Sequence, residues 1–392
     1  MADASERGLR LGVAGLGRAF GVMLPTFIAD RRVTLVAGTD LRPEARRQFA
    51  ADFVARSYPT VDELCADPNV EAVYVATPHQ HHVRHATLAA QGGKHLLIEK
   101  PMALTLDECR TIVDAARRSG VHVVVGHSHS FDAPIQRMRD LIASGNFGRV
   151  CMINAINYTD YLYRPRRPEE LDTAQGGGAV FNQAAHQVDI VRLIGGGRVE
   201  TVRAVTGSWD ARRATEGAYA ALLTFENGAF ASLTYSGYGH FDSDEFQDWV
   251  GEMGERKTPY AKSQRRFENV DDEIAFKNAR NYGGADFKSV CGHAVAHQNF
   301  GTLLVSCERA DLRALPNGIM IYQDGSARLD ALPPPTVPRA GVIDELYQAI
   351  VSGKAPLHDG AWATATVEVL LAMLRSAREG SDVRLSHQGA LS

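Results

Sequence analysis

A lysine in the tripeptide Glu99-Lys100-Pro101 follows a short apolar run, His95–Ile98, that predicts a buried strand. Burial lowers the pKa of an ammonium group, so a lysine in this setting is a candidate for proton transfer. Far upstream, the glycine-rich turn Gly15-Leu16-Gly17 predicts a bound nucleotide. Together the two features predict a redox site. The alternative for Lys100 is a surface lysine at the end of a strand.

The turn lies between a predicted strand, Leu9–Ala14, and a predicted helix, Phe20–Ala29, as a dinucleotide motif requires. Its first glycine permits a tight turn, and its second lets the backbone approach a pyrophosphate at the helix N-terminus. Phe20 occupies the place of the third glycine, so the motif is incomplete. The alternative is a tight turn that binds nothing.

Asp40 follows the second predicted strand, Val33–Thr39, at roughly the 20-residue spacing from the turn expected of a ribose-binding acid. A carboxylate there accepts hydrogen bonds from ribose hydroxyls and repels a 2′-phosphate, which favours NAD. Arg42 leaves NADP open as a second cofactor. Alternatively, Asp40 caps the helix that begins near Pro43.

The chain has 392 residues, enough for two domains, with 45% hydrophobic and 22% charged residues and a net charge of −4. This balance predicts neither a nucleic-acid nor a membrane partner. Residues 1–7 lack the apolar core of a signal peptide, and no apolar run is long enough to span a membrane. Five scattered cysteines predict free thiols in the cytoplasm: Cys65, Cys109, Cys151, Cys291 and Cys307.

Short apolar runs alternate with helical periodicity as far as Val125, which predicts a doubly wound parallel sheet. A capping-box pattern at Thr105 and Glu108 opens one of its helices. We therefore predict an α/β protein with an N-terminal domain of residues 1–127.

Longer alternating stretches follow, and Asn227-Gly228 marks a hairpin between two of them. They predict a C-terminal α+β domain, residues 128–392, with a large, open and mainly antiparallel sheet. We expect an insertion at about 241–290 and a C-terminal helix at about 343–378. The predicted strands are Val150–Tyr158, Val199–Trp209, Ala218–Phe225 and Phe230–Tyr235.

Three ordered motifs resemble those of the Gfo/Idh/MocA oxidoreductases, the family of glucose–fructose oxidoreductase and inositol dehydrogenase. They are Ala76-Thr77-Pro78-His79-Gln80-His81-His82, Glu99-Lys100-Pro101 and the segment from Gly177 to His186. The resemblance implies an N-terminal Rossmann domain that binds NAD. It also implies a C-terminal domain that carries the substrate and assembles a homodimer or homotetramer.

By the same resemblance, Lys100 and His186 flank the reacting carbinol. The catalytic aspartate of the family falls on Asn182, which keeps hydrogen bonds but cannot act as a base. Loss of that charge suits an anionic substrate. We predict the catalytic set Lys100, His186 and Asn182. The predicted cofactor contacts are Gly15, Gly17, Arg18, Ala19, Phe20, Asp40, Arg42, Ala76, Thr77, Pro78, His82, Glu99 and Lys100.

The loop Arg164-Pro165-Arg166-Arg167-Pro168 lies shortly before the third motif, and tyrosines precede it. Arginine binds carboxylates through two parallel hydrogen bonds, so this loop predicts a small anionic substrate. The alternative is a solvated basic loop. The predicted substrate contacts are Arg164, Arg166, Arg167, His127, Tyr158 and Asn182.

This loop, the segment Gly126–Pro134 and the segment Phe181–Asp189 are similar to those of phthalate 4,5-dihydrodiol dehydrogenases. That similarity implies oxidation of a cis-dihydrodiol of an aromatic dicarboxylate to a catechol, in the catabolism of aromatic compounds. The alternative within the family is a sugar or polyol dehydrogenase.

Two alternatives belong to other classes. The histidines could serve a metal-dependent hydrolase, although no motif of that class accompanies them and we predict no metal. The loss of the aspartate at Asn182 would suit an NAD-binding sensor without catalysis. The histidines concerned are His79, His81, His82, His85, His127 and His129.

Overall fold

The structure is a computed structural model that describes residues 8–260, 267–288 and 294–389. The expectation for residues 1–7, the thiol of Cys291 and parts of the expected 241–290 insertion lie outside the described residues. The chain forms two compact units. The first comprises Met1–His127, Asn269–Gly292 and Val337–Thr364, and the second comprises Ser128–Glu268, His293–Thr336 and Ala365–Ser392. Two later segments thus return to the first unit, which a single boundary after His127 does not describe.

Ten helices and fifteen strands occur among the described residues. The helices are α1 (Arg18–Ala29), α2 (Pro43–Phe53), α3 (Val61–Ala66), α4 (His82–Gln91), α5 (Leu106–Ser119), α6 (Ala133–Ala143), α7 (Ala185–Gly195), α8 (Val270–Arg280), α9 (Ala340–Ser352) and α10 (Gly360–Glu379). The strands are β1 (Leu9–Ala14), β2 (Val33–Thr39), β3 (Arg56–Tyr58), β4 (Ala72–Val75), β5 (His95–Ile98), β6 (Val123–Val125), β7 (Val150–Tyr158), β8 (Val199–Gly207), β9 (Ala218–Phe225), β10 (Phe230–Ser236), β11 (Thr302–Cys307), β12 (Ala310–Leu315), β13 (Gly318–Gln323), β14 (Ser326–Ala331) and β15 (Val383–Arg384).

The first unit contains a six-stranded parallel sheet in the order β3-β2-β1-β4-β5-β6. Its central strands are continuous apolar runs because helices cover both faces of such a sheet. The order reverses between β1 and β4, and ligands of doubly wound sheets bind at the carboxyl ends of strands beside this reversal. The predicted parallel sheet is confirmed.

Helix α5 begins with the predicted capping box. The Thr105 hydroxyl accepts the backbone N–H of Glu108 at 3.2 Å, and a Glu108 carboxylate oxygen accepts the backbone N–H of Thr105 at 3.1 Å. These bonds satisfy donors that the first turn of a helix leaves unpaired.

Part of the expected insertion belongs to the core of the first unit. The Tyr282 ring packs edge-on against Phe20, with centroids 5.0 Å apart, and its hydroxyl donates to Asp52 at 2.6 Å. Gly283, at φ +76°, lies against Ala45 so closely that a Cβ would approach its Cα to 2.5 Å. This segment is therefore a structural element of the first unit. Its polar sequence did not reveal that role.

The second unit contains a nine-stranded sheet in the order β14-β13-β12-β11-β7-β10-β9-β8-β15. All its pairs are antiparallel except β7 with β10, and Asn227-Gly228 joins β9 to β10 as predicted. Helix α6 contacts β12 and β13, while α7 contacts β7 and β10. The alternation of buried and exposed residues leaves apolar side chains on the opposite face. The predicted mainly antiparallel sheet is confirmed.

The prediction of a single C-terminal helix at about 343–378 was wrong. Helix α9 ends at Ser352, its C-cap residue Gly353 adopts φ +65°, and α10 begins at Gly360. A left-handed glycine commonly ends a helix, so the predicted single helix is divided into two. None of the described helices is long and apolar enough to cross a membrane.

Candidate active site

The turn after β1 can be occupied only by glycine at its first position. Gly15 adopts φ +98°, its N–H donates to the Thr39 carbonyl at 2.9 Å, and a Cβ would lie 2.7 Å from the Ala76 carbonyl oxygen. Ala76 therefore meets the turn through its backbone. Both the positive φ and the close approach exclude a side chain.

Gly17 is different, because no described atom beyond its neighbours in the chain lies within 4 Å of a Cβ built on it. It precedes α1, whose first N–H groups and positive dipole end suit a phosphate. Gly17 thus leaves room at a helix N-terminus, and the residues present fit the pyrophosphate of NAD. Arg18 and Ala19 form the exposed and half-exposed start of this helix.

Phe20 fills the place of the third glycine with a core side chain. It is fully buried and packs against Phe27, Phe49 and Tyr282. Any part that Phe20 plays in cofactor binding is therefore through its backbone. One residue later, Gly21 lies against the Phe287 ring.

Asp40 is tied to the turn rather than to a helix. Its carboxylate accepts the Leu16 N–H at 2.8 Å and, at the other oxygen, the N–H and Nε of Arg42 at 2.9 and 3.1 Å. Arg42 also donates to the Leu16 carbonyl at 2.8 Å and is itself the N-cap residue of α2. Asp40 is thus not the cap, and its charge is paired with Arg42 before any ribose arrives.

His82 joins the loops that follow β4 and β5. It is buried, with its Nε2 2.8 Å from the Thr77 carbonyl oxygen and its Nδ1 3.0 Å from that of Pro101. Pro78 follows Thr77 directly and precedes the short helical turn His79–His81. His82 therefore holds Thr77 in place relative to the loop of Lys100.

Glu99 faces the protein. Its carboxylate accepts the hydroxyl of the buried Tyr74, and burial raises the pKa of Glu99 above its usual range. Its side chain is therefore a structural partner of Tyr74 rather than an evident cofactor contact. The neighbouring Lys100 is half-buried at the carboxyl end of the sheet, in the same unit as the glycine turn.

In the second unit, a π-helical turn, Val180–Ala184, leads into α7. His186 lies in the first turn of α7, is 6% exposed, and contacts two rings: Phe300 at 4.8 Å and His129 at 4.8 Å between centroids. The imidazole is thus held by aromatic neighbours, which suits a group that must keep one orientation.

The Asn182 amide holds the glycine-rich loop. Its Nδ2 donates to the carbonyls of Gly176 at 3.0 Å and Gly178 at 2.9 Å. A carboxylate could donate neither bond. Asn182 therefore has a structural task at the position of the family's catalytic aspartate.

Glu216 is a site residue that the sequence analysis missed. Its carboxylate is buried and accepts the Val180 N–H at 3.0 Å and the hydroxyls of Thr173 and Thr215. Gly178, at φ +80°, lies so close that any Cβ would overlap this carboxylate. No motif marks Glu216, because its role depends on a contact between distant segments.

The three loop arginines are each already paired with carboxylates. Arg164 Nε lies 2.8 Å from Asp160, and Arg167 Nε lies 2.6 Å from Glu169. Arg166 stacks over the Tyr161 ring at 3.9 Å, donates to the Tyr161 carbonyl, and has Glu170 at 3.8 Å. The loop is therefore not a plain solvated surface. Its arginines also already have carboxylate neighbours, so they are not open to a substrate carboxylate without a change of partner.

His129, a possible metal ligand from sequence alone, forms a buried pair with Asp132. His129 Nδ1 lies 2.6 Å from Asp132 Oδ2 and its Nε2 3.6 Å from Glu252 Oε1. Burial opposes a charged ring, but these two carboxylates raise the pKa of His129 above its ordinary value. The sequence feature that could have identified this pair is the i, i+3 spacing of His129 and Asp132.

The remaining predicted site residues belong to different units. His127 is buried at the end of the first unit, whereas Tyr158 ends β7 in the second and packs edge-on against Phe241. Burial lowers the pKa of His85 to about 4, and its Nδ1 lies 3.0 Å from the Thr77 hydroxyl. Within the described residues, no group of three potential ligands is arranged to hold a metal ion.

Comparison with known proteins identifies the family. Residues 9–127 match the Gfo/Idh/MocA oxidoreductase family with its NAD-binding Rossmann fold, and residues 135–254 match the C-terminal domain of that family. The chain is 47% identical to the 1-carboxy-3-chloro-3,4-dihydroxycyclohexa-1,5-diene dehydrogenase of Comamonas testosteroni, over 94% of this chain and 95% of that one. The chain belongs to the Gfo/Idh/MocA family and is an NAD-dependent oxidoreductase.

Solved structures agree on the fold. A candidate dehydrogenase from Bordetella bronchiseptica RB50 superposes with a TM-score of 0.90 at 40% identity, over 96% of this chain and 100% of that one. The WlbA dehydrogenase of Bordetella pertussis, solved with NADH and UDP-GlcNAcA, gives 0.71 at 24% identity, over 97% and 98%. The predicted family, fold class and NAD cofactor are confirmed, and the hydrolase and sensor hypotheses are not supported.

Proposed function

We propose that this oxidoreductase dehydrogenates a ring cis-dihydrodiol that carries at least one carboxylate, with phthalate 4,5-dihydrodiol as the first substrate to test. The observation that supports this most strongly is the 47% identity, over nearly the whole chain, to a dehydrogenase of a carboxylated dihydroxycyclohexadiene. The product would tautomerise to a catechol, and aromatisation would favour that direction.

Lys100 and His186 are the proposed proton-transfer groups for the carbinol hydroxyl. When bound, the nicotinamide ring supplies the hydride acceptor. Lys100 belongs to the unit with the glycine turn, and His186 is held by Phe300 and His129 in the other unit. Asn182 is proposed to contribute only through its position, because its amide nitrogen is bonded to the glycine loop.

A polyol or sugar is the second candidate substrate. The observation in its favour is that Arg164, Arg166 and Arg167 all have carboxylate neighbours within the second unit. A neutral substrate would require none of these pairs to open.

Steady-state kinetics on a matched pair, the carboxylated dihydrodiol and the same diol without carboxylate, test the proposal. Reduced-nicotinamide absorbance with NAD is the signal, and inositol serves as the polyol. We expect kcat/KM to be about 10- to 100-fold higher for the acid, the worth of a charge-assisted contact. Turnover of inositol alone would establish the polyol reading instead.

We also propose a homodimer or homotetramer assembled through the open sheet face. Ile156, Leu222 and Phe230 are 37, 45 and 41% exposed there, more apolar surface than a lone sheet usually leaves in water. Sedimentation velocity of wild type and Leu222→Glu measures this. The four described cysteines are free thiols, in keeping with a proposed cytoplasmic location.

A further inference from the structure

Glu252 lies between a histidine and an arginine of the second unit. Its Oε1 is 3.6 Å from His129 Nε2, and its Oε2 is 3.6 Å from Arg164 Nη1. Charge-assisted hydrogen bonds between such groups are usually about 2.7–2.9 Å long. One carboxylate therefore spans His129 and Arg164 at ion-pair distance.

Each cation is fixed from its other side by a closer carboxylate. His129 Nδ1 is 2.6 Å from Asp132, and Arg164 Nε is 2.8 Å from Asp160. Although burial opposes the charge on both groups, their carboxylate neighbours raise the pKa of His129 and of Arg164. Asp132 and Asp160 would therefore still hold His129 and Arg164 in place without Glu252.

Aromatic rings surround His129. The Phe300 ring stacks on His129, with centroids 4.9 Å apart and planes at 30°, and also contacts His186. Tyr235 lies nearly parallel to Phe300. His186 is the proposed proton-transfer group, so a carboxylate bound at His129 would place its ring next to the group that acts on it.

Arg166 and Arg167 are less suited to the role. Arg166 is 11% exposed and covers the Tyr161 ring, and its carboxylate neighbour Glu170 accepts the Arg167 N–H at 2.7 Å. These contacts close the loop on itself. By contrast, Glu252 is 34% exposed and comes from a different segment of the unit.

We propose that His129 Nε2 and Arg164 Nη1 form the carboxylate subsite of the substrate, and that Glu252 occupies this subsite until the substrate displaces it. The inference rests on the proposed function, whose substrate class it specifies. Exchange of one carboxylate for another keeps the charge of the site constant, so it avoids leaving a buried cation uncompensated. A neutral diol brings no anion and leaves Glu252 in place.

Binding of benzoate, measured by calorimetry with and without saturating NAD, tests the subsite without turnover. Glu252→Gln removes the competing charge and should bind benzoate about three- to tenfold more tightly than wild type, because the competent state becomes more populated. Arg164→Leu should bind it about 10- to 100-fold more weakly. Arg164→Lys, which keeps the charge but not the fork, should lie between them.

The matched controls are Glu308→Gln and Arg149→Leu, which alter an exposed pair of the same unit whose Nε and Oε1 lie 2.8 Å apart. Both should bind benzoate like wild type, and thermal unfolding verifies that each variant is folded. A Glu252→Gln protein that binds benzoate no more tightly than wild type overturns the subsite, as does absence of benzoate binding in every protein.

Kinetics on the matched diols separate this inference from the proposed function. If no dihydrodiol is oxidised but Glu252→Gln still binds benzoate more tightly, the substrate proposal fails and the subsite stands. If the acid is oxidised and Glu252→Gln changes neither benzoate affinity nor KM for the acid, the subsite fails and the dehydrogenase proposal stands.

Discussion

Two glycine-rich loops precede helices in this protein, one in each unit, and they use glycine for opposite purposes. At Gly17 the missing side chain leaves space that no described atom fills. At Gly177 and Gly178 the protein itself fills the space: a Cβ on Gly177 would lie 2.6 Å from the Glu170 backbone, and one on Gly178 would overlap Glu216. The same residue type thus leaves open space in one unit and allows internal packing in the other.

The polar groups beside the two loops also differ in how much of the loop they bind. Beside the first loop, Asp40 fixes Leu16 while the N-terminus of α1 stays open. Beside the second, Glu216 and Asn182 bond to the loop backbone from both sides. The first loop can therefore exchange partners with a ligand, whereas the second positions the helix that carries His186.

The largest expected effect is in the first unit, whose glycine turn leaves open space. Lys100→Ala should lower kcat by roughly 10²–10⁴, since a positioned acid–base group is lost, while NAD affinity stays as in wild type. Stopped-assay kinetics and calorimetric NAD titration measure the two quantities. Lys354→Ala, an exposed lysine of the same unit, is the control. Near-normal turnover of Lys100→Ala would remove the proposed mechanism.

Alanine substitutions at the two loops test whether glycine leaves open space in the first loop and allows internal packing in the second. Gly178→Ala should lower the free energy of unfolding by about 2–4 kcal/mol, because it adds a strained φ and a clash with Glu216. Gly17→Ala should leave stability nearly unchanged and weaken NAD binding. Urea denaturation and NAD titration provide the readouts. Equal stability losses in both variants would show that the first loop is also self-packed.

Asn182→Asp examines the bonds of the second loop. At neutral pH a carboxylate would face the Gly176 and Gly178 carbonyls without a donor, so we expect a loss of about 1–3 kcal/mol. The folded state would raise the pKa of the new carboxyl, so the loss should shrink as the pH falls and the protonated group donates one bond. Urea unfolding over a pH series measures this. An active, fully stable variant would contradict the structural role of the amide.

The smallest effect concerns cofactor choice at the first loop. Wild type should bind NAD more tightly than NADP by at least about 1–2 kcal/mol, or roughly tenfold, because Asp40 repels a 2′-phosphate. Asp40→Asn should reduce this ratio, and Arg42→Ala should increase it by removing the cation paired with Asp40. Calorimetric titration with both cofactors measures each ratio. Equal affinities in wild type would show that Arg42 cancels the acid.

The sequence alone determined the parts whose signal is local. Continuous apolar runs gave β1, β2 and β5 their observed bounds, and the spacing of Thr105 and Glu108 identified the start of α5. The ordered motifs around Lys100 and His186 sufficed for the family. These features depend on neighbours within a few residues, where backbone preference and side-chain periodicity act directly.

Only the tertiary structure decided which polar groups are already paired. Asp40 with Arg42, Asn182 with the glycine loop, and Glu252 between His129 and Arg164 all change the chemistry expected of residues that the sequence predicts to lie in the site. The return of Tyr282 to the first unit was equally hidden. A carboxylate's partner is set by distances across the fold, and most of these partners come from segments whose spacing in the sequence carries no signal.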